Sequence, residues 1–133
     1  MLWTESWLTT QLGSTAFRPA ADVVDSSDDI LLTLDVPGLT AEDLTIELEG
    51  DYLCVRGERK RPQLGDGSTY AFAERPYGAF ERRVRVPKGV DPDRITAHLD
   101  NGVLSLIVPK PEQHRPKAIA IETGQRQLEA AAA

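Results

Sequence analysis

Several features that would signal particular functions are scarce or missing in this chain of 133 residues. Cys54 is the single cysteine, so no disulfide can form within the chain, which fits a reducing cytoplasm. No apolar run approaches the roughly 20 residues of a membrane-spanning helix. The opening residues, Met1-Leu2-Trp3-Thr4-Glu5, lack the basic start and apolar stretch of a signal peptide. We therefore expect a cytoplasmic protein with no membrane contact.

Positive charge is also in deficit, because the formal net charge is -6 at pH 7. A nucleic-acid-binding protein usually carries a basic footprint, so the overall balance argues against such a partner. Basic residues do cluster locally at Arg56, Arg59, Lys60 and Arg61. We interpret this cluster as the solvated end of a strand.

Motifs for catalysis or cofactor binding are missing as well. No GxxxxGK[ST] loop occurs, and Gly65-Asp66-Gly67 begins like a GxGxxG loop but has Tyr70 at the final glycine position. His98 and His114 are the only histidines and have no ligand spacing around them, so we expect no metal and no cofactor. Spacing alone leaves a Cys54–His98 nucleophile pair open, but no other residue supports it. The sequence predicts no active site and no enzyme.

The chain is instead rich in short segments with strand periodicity, in which every second residue is apolar. Segments of this kind run through Ile30–Val36, Leu44–Leu48, Tyr52–Arg56, Phe80–Val86, Ile95–Leu99 and Val103–Val108. Asn101-Gly102 predicts a two-residue hairpin turn, because both residue types tolerate positive φ. Thr40-Ala41-Glu42-Asp43 resembles a capping box and predicts one helical turn. Turns about every 8–12 residues favour an all-β fold, an antiparallel sandwich of immunoglobulin-like architecture.

Three zones follow from these patterns. We predict a short, flexible N-terminal arm over residues 1–18, a strand-dense domain over 19–110, and a polar C-terminal tail over 111–133. The tail contains one apolar pair, Ile119 and Ile121. Pro111 and Pro116 keep the connecting segment extended and non-helical.

Four segments, in order, resemble the α-crystallin domain of small heat-shock proteins, particularly bacterial ones. They are Pro19–Val23 followed by Asp35-Val36-Pro37-Gly38-Leu39, then Glu74–Pro87 with its ER..G.F.R pattern, then Ala97–Leu104 with Asn101-Gly102-Val103-Leu104, and finally Ile119-Ala120-Ile121. Val86 stands where the family usually has leucine. Each segment alone is weak evidence for this family, but all four in register are specific to it.

The resemblance implies a homodimer or small oligomer formed by strand exchange. Tyr70, Ala71 and Phe72 are similar to the strand that bacterial and plant members add to the sheet of a partner subunit. A strand that folds back on its own sheet is the alternative. Arg82 matches the family's arginine near the dimer interface. Because it shares parity with Phe80 and Val84, its guanidinium needs a carboxylate or loop carbonyls as acceptors.

The resemblance also assigns roles to the two ends of the chain. Ile119 and Ile121 are expected to dock by strand addition into an apolar groove, unless the tail binds its own domain or nothing. The groove would be formed by Leu44, Ile46, Leu48, Ile95, Ala97 and Leu99. In the arm, Trp3 and Trp7 lie one helical turn apart, and with Leu8 they are candidate contacts for client proteins or for oligomer packing.

The function implied is that of an ATP-independent holdase, which binds unfolding client proteins and prevents their aggregation under heat or other stress. Release and refolding would fall to ATP-dependent chaperones, which are thus indirect partners. The main alternative is a co-chaperone adaptor built on the same sandwich. Such adaptors lack the exchanged strand and the apolar tail pair.

Overall fold

The computed structural model describes residues 16–124 and confirms an antiparallel β-sandwich. Its seven strands are β1 (Ala21–Asp25), β2 (Asp29–Asp35), β3 (Leu44–Glu49), β4 (Tyr52–Arg59), β5 (Gly78–Arg85), β6 (Thr96–Asp100) and β7 (Val103–Pro109). One sheet has the strand order β1-β2-β7-β6, and the other has the order β3-β4-β5. The helical content of the described residues is three short 3₁₀ turns, at Ala41–Asp43, Pro92–Arg94 and Glu112–His114. Within residues 16–124, no helix is long and apolar enough to cross a membrane.

The core lies between the two sheets and is built from the alternating residues of their inner faces. In β2, Ile30, Leu32 and Leu34 are buried, while the residues between them are half-buried. Strand β7 contributes Leu104, Leu106 and Val108, and strand β4 contributes Leu53 and Val55. The period of two that the sequence shows therefore corresponds to one buried face per strand.

Local turn chemistry agrees with the sequence at two places. Asn101 and Gly102 link β6 to β7 with φ values of 50° and 78°, as a two-residue hairpin turn requires. The predicted turn after Thr40 is the 3₁₀ turn Ala41–Asp43. There the Asp43 carboxylate accepts hydrogen bonds from the Thr40 backbone N–H, at 2.8 Å, and from the Thr40 hydroxyl, at 3.1 Å.

Strand β4 runs three residues beyond the predicted end at Arg56, since its last three residues pair with β5, and the first of them is Gly57. A Cβ at this position would lie 2.8 Å from Cζ of Phe80 and 2.8 Å from the carbonyl oxygen of Asp43. Glycine therefore permits the close approach of β5 and of the 3₁₀ turn to β4. The Phe80 ring in turn packs edge-on against Phe17, with ring centroids 5.3 Å apart.

The sandwich has two margins at which strands lack a neighbour in their own sheet. At the first margin the edge strands β3 and β6 face each other across the sandwich. At the second margin the edge strands are β1 and β5. The segment that precedes β1 is tied to β5 there, since Nε of Arg82 donates to the carbonyl oxygen of Pro19 at 3.1 Å. The two margins lie at opposite sides of the molecule.

Residues on both sides of the predicted domain, which runs over residues 19–110, also contact it. Phe17, within the segment assigned to the arm, is only 5% exposed and belongs to the core. Beyond β7, Nε of Arg115 donates to the carbonyl oxygen of Lys110 at 2.9 Å, and Nζ of Lys110 lies 2.6 Å from a carboxylate oxygen of Asp25. These contacts fix the chain on the domain as far as Arg115.

Candidate functional site

A groove of about 220 Å³ runs along the first margin, between β3 and β6. The residues that line it are Ile46, Glu47, Leu48, Leu53, Pro92, Ile95 and Ala97. Four of the six predicted groove residues are thus brought together. The other two, Leu44 and Leu99, are half-buried and pack against the core at the same margin. Because both flanking strands are sheet edges, the groove offers apolar side chains together with unpaired backbone groups.

The apolar pair of the tail lies away from its own domain. Ile119 is 90% exposed and Ile121 is 91% exposed, and no strand is formed between Pro116 and Gly124. The pair therefore does not fill the groove of its own chain. Two large aliphatic side chains at this exposure leave apolar surface in water that a binding site could remove.

The predicted exchange segment follows β4 and forms no strand within the described chain. Tyr70 and Ala71 are half-buried, Phe72 is 52% exposed, and the following residue, Ala73, is buried. The alternative of a strand that folds back on its own sheet is not what the structure shows.

Strand β1 is one that the sequence does not predict. Its Val23 points inward but is 51% exposed, because β2 is the only strand that covers it. β1 therefore has a free edge beside an uncovered apolar side chain.

Arg82 is half-buried on the inner parity of β5, and its acceptor is a carbonyl of the chain itself. The Pro19 carbonyl oxygen that it binds belongs to a fully buried residue just before β1. Of the two acceptors that the sequence leaves open, a carboxylate or loop carbonyls, the structure has the carbonyl. This hydrogen bond holds the start of β1, the edge strand of the second margin, against β5.

Three arginines converge on the ring of Tyr77, which precedes β5. The guanidinium carbons of Arg59, Arg61 and Arg75 lie 5.0, 4.4 and 5.4 Å from the ring centroid. Nη1 of Arg75 also donates to the Tyr77 hydroxyl at 2.6 Å. Arg59 is only 8% exposed and also lies over the Phe17 ring, so the interpretation of the basic cluster as solvated is wrong for this residue.

A charged network covers the outer face of the three-stranded sheet. Arg56 pairs with three glutamates, at 2.8 Å to Glu81, 3.0 Å to Glu49 and 3.4 Å to Glu47. The hydrogen bond from Arg56, with a smaller effect from Cys54, lowers the pKa of Glu49 below its ordinary value. The sequence identifies Arg56 as basic but gives no indication of this network, because the glutamates meet it only through strand register.

Cys54 points away from the core, as its parity predicts, but it is fully buried on the outer face. Its thiol lies 3.5 Å from a carboxylate oxygen of Glu49. Burial, and secondarily this carboxylate, raise the pKa of the Cys54 thiol, which is the opposite of what a nucleophilic cysteine needs. His98 is exposed on β6, in the other sheet, so the two residues of the hypothetical pair do not meet.

Metal ligation finds no support in the described part of the chain. No group of three or more His, Cys, Asp or Glu side chains between residues 16 and 124 is placed to hold a metal ion. The candidate client contacts Trp3, Trp7 and Leu8 lie outside the described residues.

The fold agrees with the comparisons with known proteins. A sequence model of the Hsp20/alpha crystallin family matches residues 22–122. The chain belongs to this family. It is 35% identical to "Spore protein SP21" of Stigmatella aurantiaca over 124 residues, which are 92% of this chain and 73% of that protein.

Solved structures of small heat-shock proteins have the same architecture. Heat shock protein 16.0 from Schizosaccharomyces pombe superposes with a TM-score of 0.66 at 30% identity, covering 80% of this chain and 99% of that one. A small heat-shock protein from Xylella fastidiosa, described as having a distinct high-order structure, superposes with a TM-score of 0.65 at 31% identity. That match covers 80% of this chain and 98% of the Xylella chain. The resemblance drawn from the sequence is confirmed, and the family is one of chaperones.

Proposed function

We propose that this small heat-shock protein is a cytoplasmic, ATP-independent holdase that binds unfolding clients and keeps them from aggregating. The observation that supports this most is apolar surface at both open margins and in the exposed tail of a single chain. Such surfaces suit weak, multivalent capture of exposed apolar segments, while a net charge of -6 keeps complexes soluble. Its partners are non-native proteins and further copies of itself, with ATP-dependent chaperones acting later on the released clients.

Light scattering of a heated client protein tests the proposal directly. Added protein should suppress the rise in scattering without nucleotide, and added ATP should change nothing. Replacing Trp3 by serine should weaken suppression if the arm supplies client contacts. Unsuppressed aggregation by the intact protein would favour the adaptor alternative.

We further propose that dimers form when Tyr70–Phe72 of one chain adds as a strand to the edge of β1 in another. The free edge of β1 supplies the backbone groups, and the uncovered Val23 supplies an apolar contact. Ala71→Pro removes a backbone donor from this strand and should convert dimers to monomers when mass is measured by light scattering. Gln63→Pro, in the exposed loop after β4, is the matched control and should leave the mass unchanged.

The second assembly contact that we propose is docking of Ile119 and Ile121 into the groove of another copy. Burying each isoleucine is worth about 1.5–3 kcal/mol as an upper bound, so removing both should dissociate tail-linked assemblies. The double variant Ile119→Ser/Ile121→Ser should therefore have the mass of a dimer. Ala118→Ser/Ala120→Ser is the matched control in the same segment.

A change on the groove itself separates docking from a general effect of the tail. Ala97 is exposed and lines the groove, so Ala97→Glu places a charge there without disturbing the core. We expect the same loss of mass as with the tail variant. An unchanged mass would contradict docking at this groove.

A further inference from the structure

A second apolar pocket, of about 350 Å³, lies apart from the groove and is formed entirely by the segment between β4 and β5. Its lining residues are Arg61, Pro62, Leu64, Tyr70, Phe72, Ala73, Glu74, Arg75 and Tyr77. Leu64 is 45% exposed at this pocket, and the Arg61 guanidinium carbon lies 5.1 Å from the Tyr70 ring centroid and 4.4 Å from that of Tyr77. A volume of this size suits one large side chain with its neighbours.

The N-terminal end of the described chain is fixed beside this pocket. Ala16 forms a parallel β-bridge with Tyr77, and the Phe17 N–H donates to the Tyr77 carbonyl oxygen at 3.1 Å. Because Tyr77 also lines the pocket, residues 1–15 start from its rim. Trp7 precedes Ala16 by nine residues, and an extended segment of that length reaches about 30 Å.

The composition of residues 1–15 complements the pocket. They include both tryptophans of the chain, and their only charged side chain is Glu5. The pocket has two arginines and one glutamate in its lining, Arg61, Arg75 and Glu74, which leaves a net positive rim. An indole ring suits an aromatic pocket flanked by guanidinium groups, and a nearby carboxylate suits the positive rim.

We propose that Trp7 of the N-terminal arm docks in this pocket of its own chain, with Glu5 at the arginine rim. The short connection to Ala16 keeps Trp7 at a high effective concentration near its site, which favours the same chain over a second copy. Trp7 is nearer to Ala16 than Trp3, so closing the loop costs less entropy. Docking covers an aromatic side chain that would otherwise be available to clients. It requires no holdase activity, and it uses Tyr70 and Phe72 where they lie in the single chain, before any strand exchange.

Tryptophan fluorescence of the full chain tests this, because Trp3→Phe leaves Trp7 as the sole tryptophan. Docking removes roughly half of the indole surface from solvent, so acrylamide quenching should be about twofold weaker than in a peptide of residues 1–15. Leu64→Thr, in the Trp3→Phe background, should raise quenching towards the peptide value. Ile107→Thr, at a residue that is 43% exposed on the other sheet, is the matched control and should have no effect.

Two outcomes would overturn the proposal. The first is seen in the fluorescence of the intact chain: Trp7 is quenched as strongly as in the peptide, or Leu64→Thr and Ile107→Thr change the quenching equally. The second comes from mixing Trp3→Phe/Leu64→Thr with a chain that lacks both tryptophans but has an intact pocket. Docking within one chain predicts no recovery of protection on mixing, whereas recovery would place Trp7 in the pocket of another copy. Because the readout is local, failure of the chaperone assay would leave this result unaffected.

Discussion

Arg82→Ala is the substitution whose effect follows most directly from the structure. The change removes the hydrogen bond from Nε to the Pro19 carbonyl oxygen, 3.1 Å long, and leaves that oxygen without its partner beside a buried residue. A hydrogen bond with a charged donor is worth about 1.5–3 kcal/mol, and partial exposure of Arg82 favours the lower half of that range. We expect the free energy of unfolding to fall by about 2 kcal/mol, and the melting temperature by roughly 10 °C for a domain of this size.

Urea unfolding and thermal melting at one fixed protein concentration provide the measurement, because assembly also contributes to apparent stability. Arg82→Met keeps most of the apolar stem and should lose nearly as much stability as Arg82→Ala. Arg85→Ala, at an exposed position of the same strand, is the matched control and should stay within about 0.5 kcal/mol of the wild type. Since Pro19 precedes β1, Arg82→Ala should also weaken dimerisation. Stability of Arg82→Met equal to that of the wild type would refute the role given to this hydrogen bond.

Three further predictions concern the three-stranded sheet. Gly57→Ala should destabilise the fold by about 1–3 kcal/mol in urea unfolding, because its Cβ would overlap Phe80, whereas Gly65→Ala, with nothing within 4 Å, should not. Cys54 should react with an alkylating reagent far more slowly in the folded protein than in urea, since burial raises the pKa of its thiol; equal rates would contradict this. Because Glu49 has a lowered pKa when folded, its stabilisation is present above its ordinary pKa of 4.5 and is lost as pH falls through the folded value. The free energy of unfolding should therefore fall less steeply in acid for Glu49→Gln than for the wild type.

Much of the fold could be read from local sequence. The Asn101-Gly102 hairpin, the turn after Thr40 and most inner faces depend on neighbours within a few residues, so periodicity and turn chemistry are sufficient to find them. β1 is not evident from its sequence, because Val23 and Val24 are adjacent between aspartates and give no alternation. Its strand conformation comes from the register with β2, which local patterns do not encode.

The candidate site has features that local sequence patterns do not predict. Alternation along the chain indicates the strands β3 and β6, but it is the family resemblance that implies a groove between them. Arg59 reads locally as a solvated charge, and its burial arises from Phe17 and Tyr77, which are distant in sequence. The arginine cluster around Tyr77 and the pocket beside it likewise require the tertiary path of the segment between β4 and β5.

The position of the two open margins at opposite sides of the sandwich has a consequence for growth. In the assembly proposed above, a subunit that uses its β1 edge for one neighbour still has its β3–β6 groove vacant for another, and its tail pair would add a third point of attachment. Each subunit thus has a valence above two, the condition under which linked units branch rather than end as closed pairs. The size of such an assembly would depend on protein concentration and on the strength of the weaker contact, so dilution would redistribute the population without unfolding any subunit.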